Sequence, residues 1–127
     1  METMDATMTV QEIANRLVEL CRQGNYSGAQ EELFSEDATS KEPENSPTPG
    51  PKLTVGREAI IAKGKQFMEM LEEVHSSSMS DPIVAGNHFA VSLTLDATYK
   101  GMGRQDMNEV CVYEVKDGKV VSEEFFY

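Results

Sequence analysis

CVYEVKDGKVVSEEFFY, Cys111–Tyr127, carries Asp117-Gly118 between two valine-rich runs. An Asp-Gly step flanked by alternating apolar residues specifies a tight β-hairpin, because both turn positions take positive φ. Just upstream, Glu109 alternates in phase with Cys111, Tyr113 and Val115 and so shares a strand face with them. Toward the N-terminus, VHSSSMSDPIV, HFAVSLTLDATYK and RQDMNEVCVYEVK also read with period two. Gly86-Asn87 and Gly101-Met102-Gly103 separate these runs, and each suits a short hairpin loop. With KVVSEEFFY they make a four-stranded antiparallel meander, whose long strands must twist and coil.

Placing the turns there sets Leu93 across from Cys111, Leu95 across from Glu109, and Cys111 across from Glu124. One face then carries Phe89, Val91, Leu93, Leu95, Ala97 and Tyr99 beside Glu109, Cys111 and Tyr113, and this face meets the helices. The other carries His75, Asp96, Asn108, Val110, Val112, Phe125 and Tyr127, including an apolar strip suited to a partner subunit. A single bulge would exchange the faces beyond it.

The first half reads as helices. Thr9-Val10-Gln11-Glu12 is a capping box, and Val10, Ile13, Leu17, Leu20 and Cys21 recur at helical steps until Gln23-Gly24-Asn25. A shorter helix follows, with Ser27 as its cap and Ala29, Leu33 and Phe34 as its packing face. SKEPENSPTPGPKL, residues 40–53, holds four of the five prolines and predicts a surface loop or lid. Gly56 to about Val74 reads as the longest helix, burying Ile60, Gly64, Phe67, Met68, Leu71 and Val74, with Gly64 allowing a close backbone approach. The expectation is a single α+β domain over 1–127, with residues 1–8 flexible. Its three helices pack on a strongly curved meander to form a cone, with room for a short extra strand near 38–42.

At 127 residues and a net charge of −11, with only 11 basic residues, the composition speaks against nucleic acid and anionic membrane surfaces. No run approaches the ~20 apolar residues of a spanning helix, and the N-terminus lacks the pattern of a secretory signal. Cys21 and Cys111 fit no metal spacing. Two free thiols in a reducing cytoplasm is the economical reading, with one disulfide between them as the alternative.

A carboxylate in a packed apolar core costs several kcal/mol unless it is paired or neutral. Glu109 therefore points to an interior lined with polar tips, where burial raises its pKa into the range of a general acid or base. Tyr113, Tyr99, Cys111, Leu93, Leu95, Phe67, Met68 and Leu17 are the expected lining. Asp96 is a second acid/base candidate, with His75 on the adjacent strand as a further one. Each also has a plain structural reading: Glu109 as a partner for an arginine, the tyrosines as core bodies, Cys111 as a small hydrophobe.

The order of a helix, a short helix, GNYSGAQEELFSEDAT, a GREAI helix start and the DGKVVSEEFFY ending resembles the SnoaL-like and ketosteroid-isomerase-like families. These belong to the nuclear-transport-factor-two-like superfamily, and the resemblance spans about Thr9 to Tyr127. It implies a curved sheet wrapped by three helices around a conical pocket, with homodimers built through the sheet. Ketosteroid isomerase uses an aspartate base with a tyrosine and a protonated aspartate as oxyanion donors. The resemblance sets Glu42 at the base, Leu17 at the donor tyrosine and Cys111 at the protonated aspartate, with Glu109 two residues earlier. Two of the three parts are thus altered, which speaks against steroid isomerisation. SnoaL-like cyclases abstract a proton beside a carbonyl and close a ring without metal or cofactor. The expected ligand is a small apolar carbonyl compound, and the readings left open are enzyme, non-catalytic binder and dimerising scaffold.

Overall fold

The computed structural model describes residues 7–46 and 50–127. Its elements are α1 (Val10–Arg22), α2 (Tyr26–Leu33), β1 (Phe34–Lys41), β2 (Leu53–Val55), α3 (Arg57–Glu69), β3 (Leu71–Met79), β4 (Ile83–Ala85), β5 (His88–Tyr99), β6 (Gly103–Lys116) and β7 (Lys119–Phe126). The strands form one sheet in the order β2-β1-β7-β6-β5-β3, with β4 also paired to β5. Every pairing is antiparallel except β1 with β7. The result is an α+β cone, three helices against a curved sheet.

Local chemistry sets most of the boundaries. The Thr9–Glu12 capping box forms with both of its bonds, at 3.1 and 2.8 Å. α2 is capped by Asn25, whose Oδ1 accepts from Gly28 N at 3.1 Å, rather than by Ser27, because Asn25 already closes the turn that ends α1. Asp117 and Gly118 both take positive φ, 53° and 76°, as the hairpin requires.

Several expectations change. The meander is part of a seven-stranded sheet, and the short strand foreseen near 38–42 is the eight-residue β1, which begins at Phe34. Ser40 and Lys41 belong to β1 and Leu53 to β2, so the proline-rich loop is narrower than 40–53; residues 47–49 of it lie outside the described residues. Residues 1–6 of the flexible-terminus expectation also lie outside them, while Met8 packs on the core. The helix foreseen as the longest ends at Glu69 and, at 13 residues, only equals α1, because Leu71–Met79 finds a strand partner in β5. Leu71 and Val74 therefore sit on β3, where Val74 is exposed rather than buried. Gly64 approaches no backbone: the nearest atom to a Cβ there is Gln30 Oε1 at 3.8 Å. Asp81-Pro82, lacking one amide hydrogen, separates β3 from β4.

Two register corrections place the site. The β5–β6 turn sets Leu93 opposite Glu109 and Val91 opposite Cys111, a shift of two residues that keeps the faces. The β6–β7 pair carries a bulge between Glu114 and Val115, a shift of one residue that exchanges them. Beyond the bulge Phe125, not Glu124, faces Cys111, and Glu123 faces Tyr113. Phe125 therefore belongs to the inner face.

The apolar interior falls into two clusters. The larger joins α1 and α2 to the sheet through Ile13, Leu17, Phe34, Phe89, Val91, Cys111, Tyr113 and Val120. The smaller holds Leu95, Ala97 and Tyr99, with Phe67, Leu71 and Met107 packed on it. Tyr113 stacks on Phe89 at 4.8 Å, and Phe67 meets Tyr99 edge-on at 6.1 Å.

Candidate active site

Glu109 and Glu123 reach the inner face from adjacent strands. Glu109 stands on β6 opposite Leu93, where Leu93 and Phe125 are also only partly buried. Its Oε1 accepts from the Cys111 thiol at 3.6 Å, and among the described residues it has no salt bridge. Burial first, and the Glu42 carboxylate second, push Glu109 up to about 7. A carboxyl group with that affinity holds and releases a proton at neutral pH.

Glu123 is more enclosed, at 5% exposure, and burial raises it also to about 7 against the opposing Ser40 hydrogen bond and Lys63 charge. Its Oε1 accepts from Ser40 Oγ at 2.8 Å, and Ser40, at 0% exposure, is its register partner across the parallel β1–β7 pair. Lys63 of α3 donates to Ser40 Oγ at 2.8 Å and to Glu42 Oε2 at 3.1 Å, and stands 5.4 Å from the centre of the Phe125 ring. The Tyr127 hydroxyl donates to Glu42 Oε1 at 2.7 Å and accepts from Ser46 at 2.6 Å. Lys52 donates to the Ser46 carbonyl at 2.9 Å. A continuous polar chain thus runs from the loop after β1 to an enclosed carboxylate.

Burial holds the Cys111 and Tyr113 protons far above their usual ranges and pushes Cys21 up to about 12, so both thiols are neutral. Both cysteines are free and buried. Tyr113, the register partner of Glu123, opposes the effect of burial on both Glu123 and Cys111. Burial, reinforced by the Glu109 charge, likewise raises Tyr99.

The other sequence candidates divide. Tyr113, Cys111, Leu93, Leu95, Tyr99 and Phe67 lie on the inner side with Glu109, and Glu42 reaches it through Lys63. Leu17 is buried in the larger cluster. Met68 is 44% exposed, because it lies about 100° around the helix from Phe67. Asp96 is on the outer face, where Arg104 grips it with bonds of 2.9 and 2.8 Å and holds its carboxyl below the usual range. His75 is beside it on β3, with Nε2 2.7 Å from Thr98 Oγ1. The structure therefore separates Asp96 and His75 from Glu109.

Sequence reasoning missed Lys63, Ser40 and Glu123. Lys63 had a signal, being a charged residue three after Ile60 and four before Phe67 on the buried stripe of α3. Glu123 had none until the bulge was known. A surface recess of about 450 Å³ lies elsewhere, between α1 and the β3–β4 turn, lined by Asn15, Val18, Arg22 and Asp81 among others. Among the described residues no cluster of His, Cys, Asp or Glu is arranged to hold a metal, and no helix is long and apolar enough to cross a membrane.

A curved sheet closed by three helices, with a partly buried carboxylate on its inner face and an enclosed one on the next strand, defines a cone-shaped class of α+β proteins. The SnoaL-like domain family matches residues 8–127, and the chain belongs to that family. A Mesorhizobium loti protein provisionally assigned as a SnoaL-like polyketide cyclase is 38% identical, with a TM-score of 0.85, covering 94% of this chain and 100% of that one. A provisionally assigned SnoaL-like polyketide cyclase of Jannaschia sp. CCS1 shares the fold at 18% identity and a TM-score of 0.71, covering 99% of this chain and 90% of its own. So does a Catenulispora acidiphila protein of ketosteroid-isomerase-like fold in complex with trimethylamine, at 19% identity and a TM-score of 0.70, over 94% of this chain and 87% of that one. No curated protein matches the sequence.

Proposed function

We propose that the protein is a cofactor-independent isomerase or cyclase acting on a small, largely apolar carbonyl compound, with Glu109 as its acid/base. The observation that carries this is the setting of Glu109: partly buried on the inner face, between two apolar clusters, without an ion-pair partner among the described residues. Such a group takes a proton from carbon and returns it elsewhere without leaving its charge stranded in an apolar site. The carboxylate removes a proton beside the carbonyl, and the C–H electron pair becomes a C=C bond as the oxygen gains charge. Reprotonation at another carbon gives isomerisation. Attack of the enolate carbon on a second carbonyl closes a ring, and the new alkoxide takes the proton. The 38% identical Mesorhizobium loti protein, with its provisional polyketide cyclase assignment, supports the same class.

The test is deuterium uptake from D₂O by a panel of small cyclic ketones and 1,3-diketones, followed by proton NMR. Wild-type protein accelerates uptake into at least one of them, and Glu109→Gln abolishes the acceleration. Binding of the panel without exchange would instead make the chain a non-catalytic binder.

The outer face supports a homodimer. Val110 and Phe126 are register partners there at 44% and 49% exposure and form, with Val112, an apolar strip on the outer face. A Val110→Lys, Phe126→Glu double substitution would then sediment as a monomer where the wild type sediments as a dimer. The two free, buried thiols suit a reducing compartment such as the cytoplasm.

A further inference from the structure

We propose that Lys63 is a second catalytic residue, the group that holds the developing enolate oxygen while Glu109 takes the proton, and that Ser40 and Glu123 are the positioning residues that aim it. This rests on the acid/base reading of Glu109 and narrows the substrate to compounds whose carbonyl oxygen becomes an oxyanion.

An ammonium has three N–H donors. Lys63 uses one on Ser40 Oγ and one on Glu42 Oε2, and among the described residues the third has no hydrogen-bond acceptor. Its nitrogen stands over the face of Phe125. Phe125 is the register partner of Cys111, whose thiol donates to Glu109, so the ammonium and the carboxyl group are set around one partly buried apolar patch. Lys63 also acts electrostatically on both Glu109 and Glu123. A cation and a carboxylate on two sides of an apolar surface are what enolisation needs: one group for the proton, one for the charge it leaves on oxygen.

The direction of the ammonium is set from behind. Glu123 accepts the Ser40 hydroxyl proton, which turns the Ser40 lone pairs toward Lys63. Ser40 is completely buried and so is no nucleophile toward a substrate; its remaining role is to transmit orientation. Glu42, steadied by Tyr127, anchors the rim side of the ammonium. A lysine held between a buried hydroxyl and a carboxylate loses little freedom when a ligand oxygen arrives.

In the reaction, Glu109 removes the proton, the C–H pair moves into C=C, and the carbonyl π pair moves to oxygen. That oxygen is held by the third Lys63 N–H, with no proton transferred from nitrogen. Return of the proton from Glu109 to carbon restores the carbonyl and frees the ammonium.

The experiment uses 4-nitrophenol, whose absorbance separates its neutral and anionic forms and which resembles an enolate in shape and charge. Titrated into wild-type protein at pH 6, it is expected to bind as the phenolate. Lys63→Met is expected to weaken binding at least tenfold and return the bound phenol to its neutral spectrum, while Lys63→Arg keeps the anionic spectrum. Ser40→Ala, with Lys63 intact, is expected to bind a few-fold more weakly, and Ser40→Thr to recover the loss. Binding of only the neutral phenol by wild type, no binding at all, or the same anionic spectrum with Lys63→Met would overturn the proposal; Lys63→Arg and Ser40→Ala decide it if Lys63→Met does not fold. The deuterium-uptake assay separates the two readings: no uptake with Lys63-dependent phenolate binding removes the enzyme and leaves an oxyanion-binding site, whereas uptake that is insensitive to Lys63 removes only this role.

Discussion

Asp96 and Glu109 lie on neighbouring strands of one sheet, yet their surroundings drive their chemistry in opposite directions. Asp96 faces outward on β5, is gripped by Arg104 through two bonds, and gives up its proton more readily than a free aspartate. Glu109 faces inward on β6, has a thiol as its donor, and keeps its proton to about 7. The difference is desolvation against pairing: water and a guanidinium stabilise one anion, and the apolar interior withholds both from the other. Proximity in the sheet counts for little beside which face a residue takes, and one residue of register decides that.

Four measurements would break or sharpen the contrast. The largest effect is expected for Glu109→Gln, which should lower proton exchange by about 10²-fold or more, the scale of a lost general base. Asp96→Asn should leave exchange unchanged; an equal loss from both would erase the distinction between the faces.

Next comes pH dependence. Glu123 has its folded pKa, about 7, above the ordinary value of 4.5, so the folded form binds more protons between those limits. Its contribution is fully present below about 4.5 and is lost as pH rises through about 7, with a size on the order of 3 kcal/mol. Urea unfolding of wild type should accordingly weaken from pH 5 to pH 8, and Glu123→Gln should reduce that slope to the part that Glu109, raised in the same direction, still contributes. A slope identical in the two proteins would show Glu123 to be hydrated. Asp96 has the opposite sign: its depressed pKa gives stability present above the unfolded value and lost as pH falls through the folded one.

A smaller effect tests the frame both faces share. Thr9→Ala removes one side of the capping box at the start of α1 and should cost about 1 kcal/mol without moving the Glu109 titration. The smallest belongs to the outer pair itself. Asp96→Asn should shift the unfolding midpoint within experimental error in moderate salt, because exposed ion pairs are screened and entropically opposed.

Much of the architecture was legible because it is written in nearest neighbours. The capping box, the Asp117-Gly118 turn and the alternation from His88 to Lys116 each depend on residues a few positions apart. The inward placement of Glu109 followed from that alternation alone, since a shift of two residues in the β5–β6 pairing leaves the faces intact. Helical periodicity was a weaker guide at the end of α3. There Leu71 and Val74 continue an apolar step, yet pairing with β5 takes them into a strand.

The sequence by itself thus determined most of the element types, most of the turns and the inward-facing carboxylate of β6. Only the tertiary structure decided the rest of the site, because each remaining part depends on chain segments far apart. The bulge at Glu114–Val115 turns Glu123 and Phe125 inward, and a bulge is settled by how two twisted strands must bend to close the cone. The parallel pairing of β1 with β7 brings Ser40 to Glu123 across 83 positions of chain, and α3 then lays Lys63 on both Ser40 and Glu42. Local periodicity cannot encode contacts at that range; burial of the shared apolar face selects them.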